Sequence, residues 1–498
     1  MIIYKSKQVM NKYIKNISLA LAMTLGMSAC DFDPELTQDV STADAFKSVQ
    51  DVKNGTTGAY QALAYYPFLG NYAVVFGDFA GGLATGSASS GHFYSVSYWA
   101  VADTDEEMEN IWQYGFKVID AAVRTINGAK ALVENNEEMT DDNKSTVYYN
   151  VSQCYALRAL AYYTMAQYFC YPYAKGADQK GLPIVKDKPV EAFESMTRAS
   201  LGDTYQFMLD DIEQALAYND EAGNPSLQFF YMNQAAIYAL KARVCMHMAK
   251  YDDAEAAAKK AIELKGKGNA DYADLNPSND AYLTMWASLS PSDEDIFTLS
   301  KTEDDNLSAN ALNTLWGSYY GKVSAYGQSF FSPTDIRSEL IGEVDGNSPA
   351  SMKWQGIESS QATSNIPIFR KSEMALIIAE CEARKGNIDE AKKYVGYTAK
   401  RDSQYAAEDG TCDLSKLPSD KDAMLDFIWK ESTREFLGEG HFYAEARRLD
   451  KTITVMNGAC TTFRPANFVF PIPAAEINAG FMKEQNSGWE DGLPERDS

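Results

Sequence analysis

Residues 231–264, YMNQAAIYALKARVCMHMAKYDDAEAAAKKAIEL, constrain the fold of this chain most tightly. Ala236, Tyr238, Leu240, Val244, Met248 and Tyr251 form a broad apolar stripe at helical spacing. Lys250-Tyr251-Asp252-Asp253 then breaks the pattern with polar turn residues, and a second helix follows. That helix carries small residues at Ala254, Ala257, Ala258 and Ala261. Small side chains let two helix axes approach, and large ones opposite fill the gaps. An antiparallel helical hairpin is the expected result.

The hairpin resembles a tetratricopeptide repeat at Ala242, Tyr251, Ala254 and Ala261. A second hairpin is expected over 371–400, with Lys385-Gly386-Asn387-Ile388-Asp389 as its turn and Ala379 and Ala391 as close-contact residues. Residues 145–168, containing CYALRALAYYTMAQYF, read as another repeat-like helix. Further amphipathic helices are expected over 42–65, 106–127 and 422–437, and one is opened by Ser200 with Asp203 three residues on as a capping box. Residues 181–185 read as a short extended segment. The repeats are separated by loop-rich insertions at about 67–105 and 266–370. The expected fold is therefore mainly α, a tetratricopeptide-like scaffold with long insertions, with 42–498 as a single domain.

The N-terminus has the order of a signal segment. Lys5, Lys7, Lys12 and Lys15 supply the positive region, and 17–27 is an apolar stretch too short to span a bilayer. Met1 and Met10 both serve as possible starts. Met27-Ser28-Ala29-Cys30 resembles a bacterial lipobox, with Met27 in place of the more usual Leu. On that resemblance 1–29 is a signal peptide, Cys30 is lipidated, and 30–41 is an acidic extended tether. Acyl chains on Cys30 would then be the membrane attachment.

Net charge is −24, which excludes a nucleic-acid binder and weighs against a polyanionic ligand. Seven cysteines are scattered without a CxxC pair or a His at ligand spacing, so a zinc site is not expected; no metal-ligating residue or cofactor is assigned, and a structural calcium stays open. Cys154, Cys245 and Cys381 fall inside helical patterns and read as small buried hydrophobes.

Near the C-terminus, Glu431, Arg434 and Glu435 share a helix face, and Gly438 and Gly440 can end the helix. His441-Phe442-Tyr443-Ala444-Glu445-Ala446-Arg447-Arg448 follows. Arginines and carboxylates this close suit a partly buried ion network of Glu431, Arg434, Glu435, Glu445 and Arg447. Arg434 would keep both glutamates ionised, which is poor for general acid catalysis. No GxSxG, HExxH or P-loop motif is present.

EFLGEGHFYAEARR, with Phe470-Pro471-Ile472-Pro473, Glu476-Ile477-Asn478 and Gln485-Asn486-Ser487-Gly488-Trp489, resembles the closing motifs of the SusD/RagB family of nutrient-binding outer-membrane lipoproteins. The resemblance extends upstream through CYALRALAYY, residues 181–185, RASLGDTYQFMLDDIEQAL and the central hairpin. Phe442, Ala444 and Ser487 depart from the family pattern, where Arg, an aromatic residue and Pro are common. The resemblance implies a cell-surface lipoprotein of the outer membrane. It would capture an oligosaccharide or polysaccharide and pass it to a TonB-dependent (SusC-like) transporter, without being an enzyme. A protein-interaction scaffold and a glycoside hydrolase are the competing readings.

Sugars stack C–H faces on flat aromatic rings and need polar neighbours for their hydroxyls. The two irregular spans carry the aromatics freest to face solvent. The first offers Asp78, His92, Tyr94, Tyr98 and Trp99, and the second Trp286, Trp316, Tyr319 and Tyr320. The expected ligand-binding set is Asp78, His92, Tyr98, Trp99, Trp316, Tyr319 and Tyr320, with one aromatic from each span meeting on one face. Trp99 and Trp316 are the expected platforms, and Asp78 the hydroxyl acceptor.

Overall fold

A row of helices, each packed on the next, runs through the molecule. The computed structural model describes residues 45–190, 194–223, 228–265, 278–457 and 459–490. From Phe46 onward these form one compact unit. The signal segment, Cys30 and the tether lie outside the described residues.

The first half contains α1 (Val49–Ala64), α2 (Tyr72–Ala80), β1 (Ala84–Thr85), α3 (Tyr94–Tyr98), α4 (Glu106–Glu134), α5 (Asp141–Phe169), α6 (Leu201–Glu221), α7 (Gln234–His247) and α8 (Tyr251–Lys265). The irregular middle contains α9 (Asn279–Met285), β2 (Asp295–Leu299), α10 (Leu312–Trp316), β3 (Lys322–Val323), α11 (Ala325–Gln328), β4 (Ile341–Val344), β5 (Asn347–Ser351) and β6 (Ile366–Arg370). Then come α12 (Lys371–Lys385), α13 (Ile388–Ala399), α14 (Lys421–Phe436), α15 (His441–Arg448), β7 (Ile453–Asn457), β8 (Ala459–Phe463) and α16 (Ala474–Asn478). The described strands form two-stranded antiparallel ribbons: β1 with β3, β2 with β6, β4 with β5, and β7 with β8. The fold is mainly α.

The row runs α1, α4, α5, α6, α7, α8, α12, α13. The central hairpin is α7 and α8, and Ala242, Ala254, Ala258 and Ala261 are fully buried at its seam. The α12–α13 hairpin turns at Gly386, whose φ of 88° needs a residue without Cβ. Its Ala379 and Ala391 are buried with Val395, Met424 and Ile428 in a smaller core beside the main one. Ser200 caps α6 as its sequence implies, its hydroxyl accepting from the Asp203 amide at 2.9 Å. α5 is buried on every side from Asn150 to Phe169, with polar residues such as Arg158 and Gln167 among those covered. Cys154, Cys245 and Cys381 are buried and unpaired.

Several boundaries differ from expectation. α4 and α5 run past 127 and start before 145, because polar and small residues extend a helix without marking its apolar face. α1 begins at Val49, where the Ser48 hydroxyl and the Asp51 carboxylate close a capping box. The span 67–105 is not all loop: YAVVFGDFA is α2, with all of its residues buried. A helix covered on every face shows no amphipathic period, so its sequence looks like a turn at Gly77-Asp78.

Candidate functional site

The two irregular spans do meet. Ala84 pairs with Val323 and Thr85 with Lys322, so the β1–β3 ribbon joins residues far apart in the chain. Beside it lies an open depression of about 560 Å³, lined by Thr85–Ser89, Tyr94, Tyr98, Tyr320 and Lys322. Tyr94 and Tyr98 stand four residues apart on α3, one helical turn, and so share a face. Their ring centroids are 4.7 Å apart. Phe93 and Trp99, at either end of α3, adopt left-handed backbone conformations (φ 52° and 55°) and turn inward. Tyr320 is also left-handed and is 49% exposed. His92 stacks on Tyr319 at 4.2 Å, and the Ser90 hydroxyl donates to the Tyr319 carbonyl at 2.7 Å, fixing the two loops to each other.

Three of the expected ligand residues are elsewhere. Trp99 is buried against Phe463, Phe468 and Phe470, and its indole N–H donates to the Ala80 carbonyl at 3.2 Å. Trp316 is fully buried beside Phe79. Both indoles belong to the core, because the left-handed turn at Trp99 and the end of α10 point the larger ring inward and leave the neighbouring tyrosine outside. Trp286 is likewise buried, with the Lys353 ammonium 4.7 Å from its ring centre. Asp78 sits in α2 and accepts from the amides of Gly438 (2.8 Å) and Gly440 (3.1 Å). Burial pushes its carboxyl up to about 7 although both amides hold it down. It clamps the Leu437–Gly440 turn and reaches no ligand surface. The fit is close: a Cβ on Gly77 would fall 1.9 Å from the Gly440 carbonyl oxygen. Of the expected set, Tyr98 and Tyr320 line the depression, and His92 and Tyr319 stack beside it. Lys322, Ser87 and Ser89 were not singled out from sequence. The one available signal was the Lys322-Val323 alternation, which puts Val323 in the core and Lys322 outside.

The charged motif forms a separate, buried lattice. Asp335, Glu294, Glu431, Glu435 and Glu439 meet Arg337, Arg370, Arg401, Arg434 and Lys353. Arg337 grips Asp335 through Nε (2.9 Å) and Nη2 (2.8 Å) and also reaches Glu431 at 2.7 Å. Glu435 pairs with Arg337 (3.2 Å), Arg370 (2.9 Å) and Arg401. Burial alone would raise the Glu294, Glu431 and Glu435 carboxyls, but the guanidiniums prevail. Glu431 is held at about 2 by Arg337 and Arg434, and Glu435 lies far below the usual carboxylate range. Glu445 pairs with Arg448 at 2.6 Å, and Arg448 with Glu380 at 2.6 Å.

Arg447 is not part of any ion pair among the described residues, contrary to expectation. Its guanidinium donates to the backbone carbonyls of Gln167, Cys170 (2.7 Å), Pro465 (3.3 Å) and Phe468 (2.9 Å). It thus satisfies the open carbonyl end of α5, where a carboxylate would be misplaced. The closing motif does related work. Gln485 exchanges two hydrogen bonds with the Ile472 backbone, and the Asn486 amide donates to Phe169 (3.0 Å) and Phe470 (2.7 Å). Arg198 likewise has no carboxylate partner among the described residues: it donates to the Gly181 and Phe169 carbonyls and to the Asn486 side-chain oxygen.

Among the described residues no group of His, Cys, Asp and Glu side chains gathers as metal ligands, and no helix is long and apolar enough to cross a membrane.

Residues 346–489 match the family model described as the SusD family, and 33–246 match one described as starch-binding associating with outer membrane. No curated protein matches the chain. Among solved structures, a SusD superfamily protein from Bacteroides vulgatus is 22% identical with a TM-score of 0.74, covering 90% of this chain and 100% of its own. A SusD-like carbohydrate binding protein from the same organism is 16% identical (TM-score 0.68; 87% and 97% covered). Surface glycan-binding protein A from Bacteroides thetaiotaomicron is 18% identical (TM-score 0.66; 89% and 100% covered). At these identities the structures establish the shared fold. With two matching models that between them take in more than half of its residues, and with the EFLGEG and QN motifs seated as described, the chain belongs to the SusD family.

Proposed function

We propose that the protein is a glycan-binding lipoprotein of the bacterial cell surface that captures oligosaccharide in the Tyr94–Tyr98–Tyr320 depression. The observation that carries this reading is the depression itself. It presents rings from both irregular spans beside the Ser87 and Ser89 hydroxyls, and its size suits a few sugar rings. The family model described as starch-binding and the solved glycan-binding relatives support the same ligand class. Hydrolysis is not part of the proposal. A glycosidase needs two carboxylates flanking the bond it cleaves, and the lining residues include none. Glu431 and Glu435 are buried and committed to arginines.

Capture at the surface also needs an anchor and an exit. The proposal places the acyl anchor on Cys30, the protein on the outer membrane, and a TonB-dependent (SusC-like) transporter as the recipient of the glycan. The helical row would dock that transporter, leaving the loops to hold ligand. Retention on a panel of immobilised polysaccharides, with reducing-sugar release assayed in parallel, tests the central reading. Retention of at least one glycan without hydrolysis is expected; hydrolysis without retention overturns it. For the anchor, Cys30→Ala should move the protein from the membrane fraction to the soluble fraction, and continued membrane association would count against lipidation.

A further inference from the structure

The depression carries no acid. In a chain whose acidic residues outnumber its basic ones by 69 to 45, Lys322 is the one charged residue among those lining it. Several lysines elsewhere on the surface are tied to carboxylates, among them Lys180 to Glu484 at 2.7 Å, Lys241 to Glu213 at 2.6 Å and Lys430 to Asp426 at 2.8 Å. Lys322 has no ion pair among the described residues and is exposed. Its position is nonetheless fixed. Its backbone pairs with Thr85, and the next side chain, Val323, is buried. Strand alternation therefore directs the Lys322 side chain outward, from the same turn that presents the Tyr320 ring.

Resting on the glycan-binding reading above, we propose that the ligand is an anionic glycan, one whose repeat carries a uronate carboxylate or a sulfate ester. Lys322 pairs with that anion while Tyr98 and Tyr320 stack on the sugar. The net charge of −24 weighs against a polyanion wherever the acids lie. At the depression that objection is locally reversed, and the negative remainder of the surface would discourage the same chain from settling elsewhere. An exposed ammonium–anion pair is worth a modest gain, about fivefold in affinity, and salt screens it.

Calorimetry of the full chain in detergent tests this across a polysaccharide panel. Each glycan is presented in its anionic form and in its carboxyl-reduced or desulfated form, so that the two kinds of anion are separated. At least one anionic member should bind about fivefold tighter than its neutral counterpart, with the advantage shrinking at high salt. Lys322→Gln should erase that advantage, and Tyr98→Ala should weaken both members. If no pair shows an advantage, or if the advantage survives in Lys322→Gln, the inference is overturned. Tyr98-dependent binding of neutral members would then leave the glycan-binding reading intact. If no member of any pair binds, that reading falls and takes the inference with it.

Discussion

Around Glu435 the charges are buried and paired, whereas Tyr320 is 49% exposed and Lys322 beside it has no ion-pair partner among the described residues. The first region is saturated. Five carboxylates and five cations from the irregular middle and from the segments that follow it satisfy one another inside the protein. The second is open: the tyrosine rings and the Lys322 side chain are held out by buried neighbours that never reach the surface. Burying charges costs desolvation that their attraction repays only with good geometry. Such a lattice fixes how the insertions dock on the helices, and it offers nothing further to bind. The depression has the reverse character, with groups fixed in place and still free to make contacts.

The sharpest way to break this comparison is to remove Glu435. Glu435→Ala takes one shared carboxylate from Arg337, Arg370 and Arg401 and leaves the buried lattice one negative charge short, which costs about 3–5 kcal/mol. The melting temperature should collapse or the protein should fail to accumulate. A variant that melts as the wild type does would show that the lattice is not what holds the insertions.

Next come the indoles. Trp316→Ala leaves a large cavity beside Phe79 and should cost about 3–5 kcal/mol, as should Trp99→Ala among Phe463, Phe468 and Phe470. Both losses should appear in thermal melts. Unchanged melting with lost glycan binding would return the two residues to the ligand surface.

These indoles show how far the chain could be read in advance. The hairpins α7–α8 and α12–α13, the Ser200 cap and the C-terminal motifs were legible, because amphipathic period, turn residues and capping are local properties of sequence. α2 was not, because burial on every face erases the period. Arg337, Arg370 and Arg401 were not, because nothing local ties them to Glu435. The two spans that build the depression were legible as spans. Which ring faces outward was not. Trp99 and Tyr98 differ by one residue, and the left-handed turn at Trp99 decides between them. Arg447 illustrates the same limit: its charge suggested an ion pair, while its position at the end of α5 gave it carbonyls.

A smaller effect separates the regions by pH. Glu431 is held at about 2, below its ordinary value of 4.5. Its folded-state pKa is depressed, so its contribution to stability is fully present above the unfolded carboxylate range. That contribution is lost as pH falls from about 4.5 towards 2. Melting temperature should drop across that window. Affinity for a neutral glycan should stay flat down to the point of unfolding, since no Asp, Glu or His lines the depression. Affinity that falls well before stability does would place a titrating carboxylate in the binding site.

The most direct measurement is calorimetric titration of a retained oligosaccharide into Tyr98→Ala and Tyr320→Ala, with melts recorded alongside. Each substitution should weaken binding about tenfold, on the order of 1.4 kcal/mol, and leave the melting temperature within a degree or so of wild type, as expected for surface positions away from the core. Unchanged affinity in both variants would contradict the assignment of this depression as the glycan site.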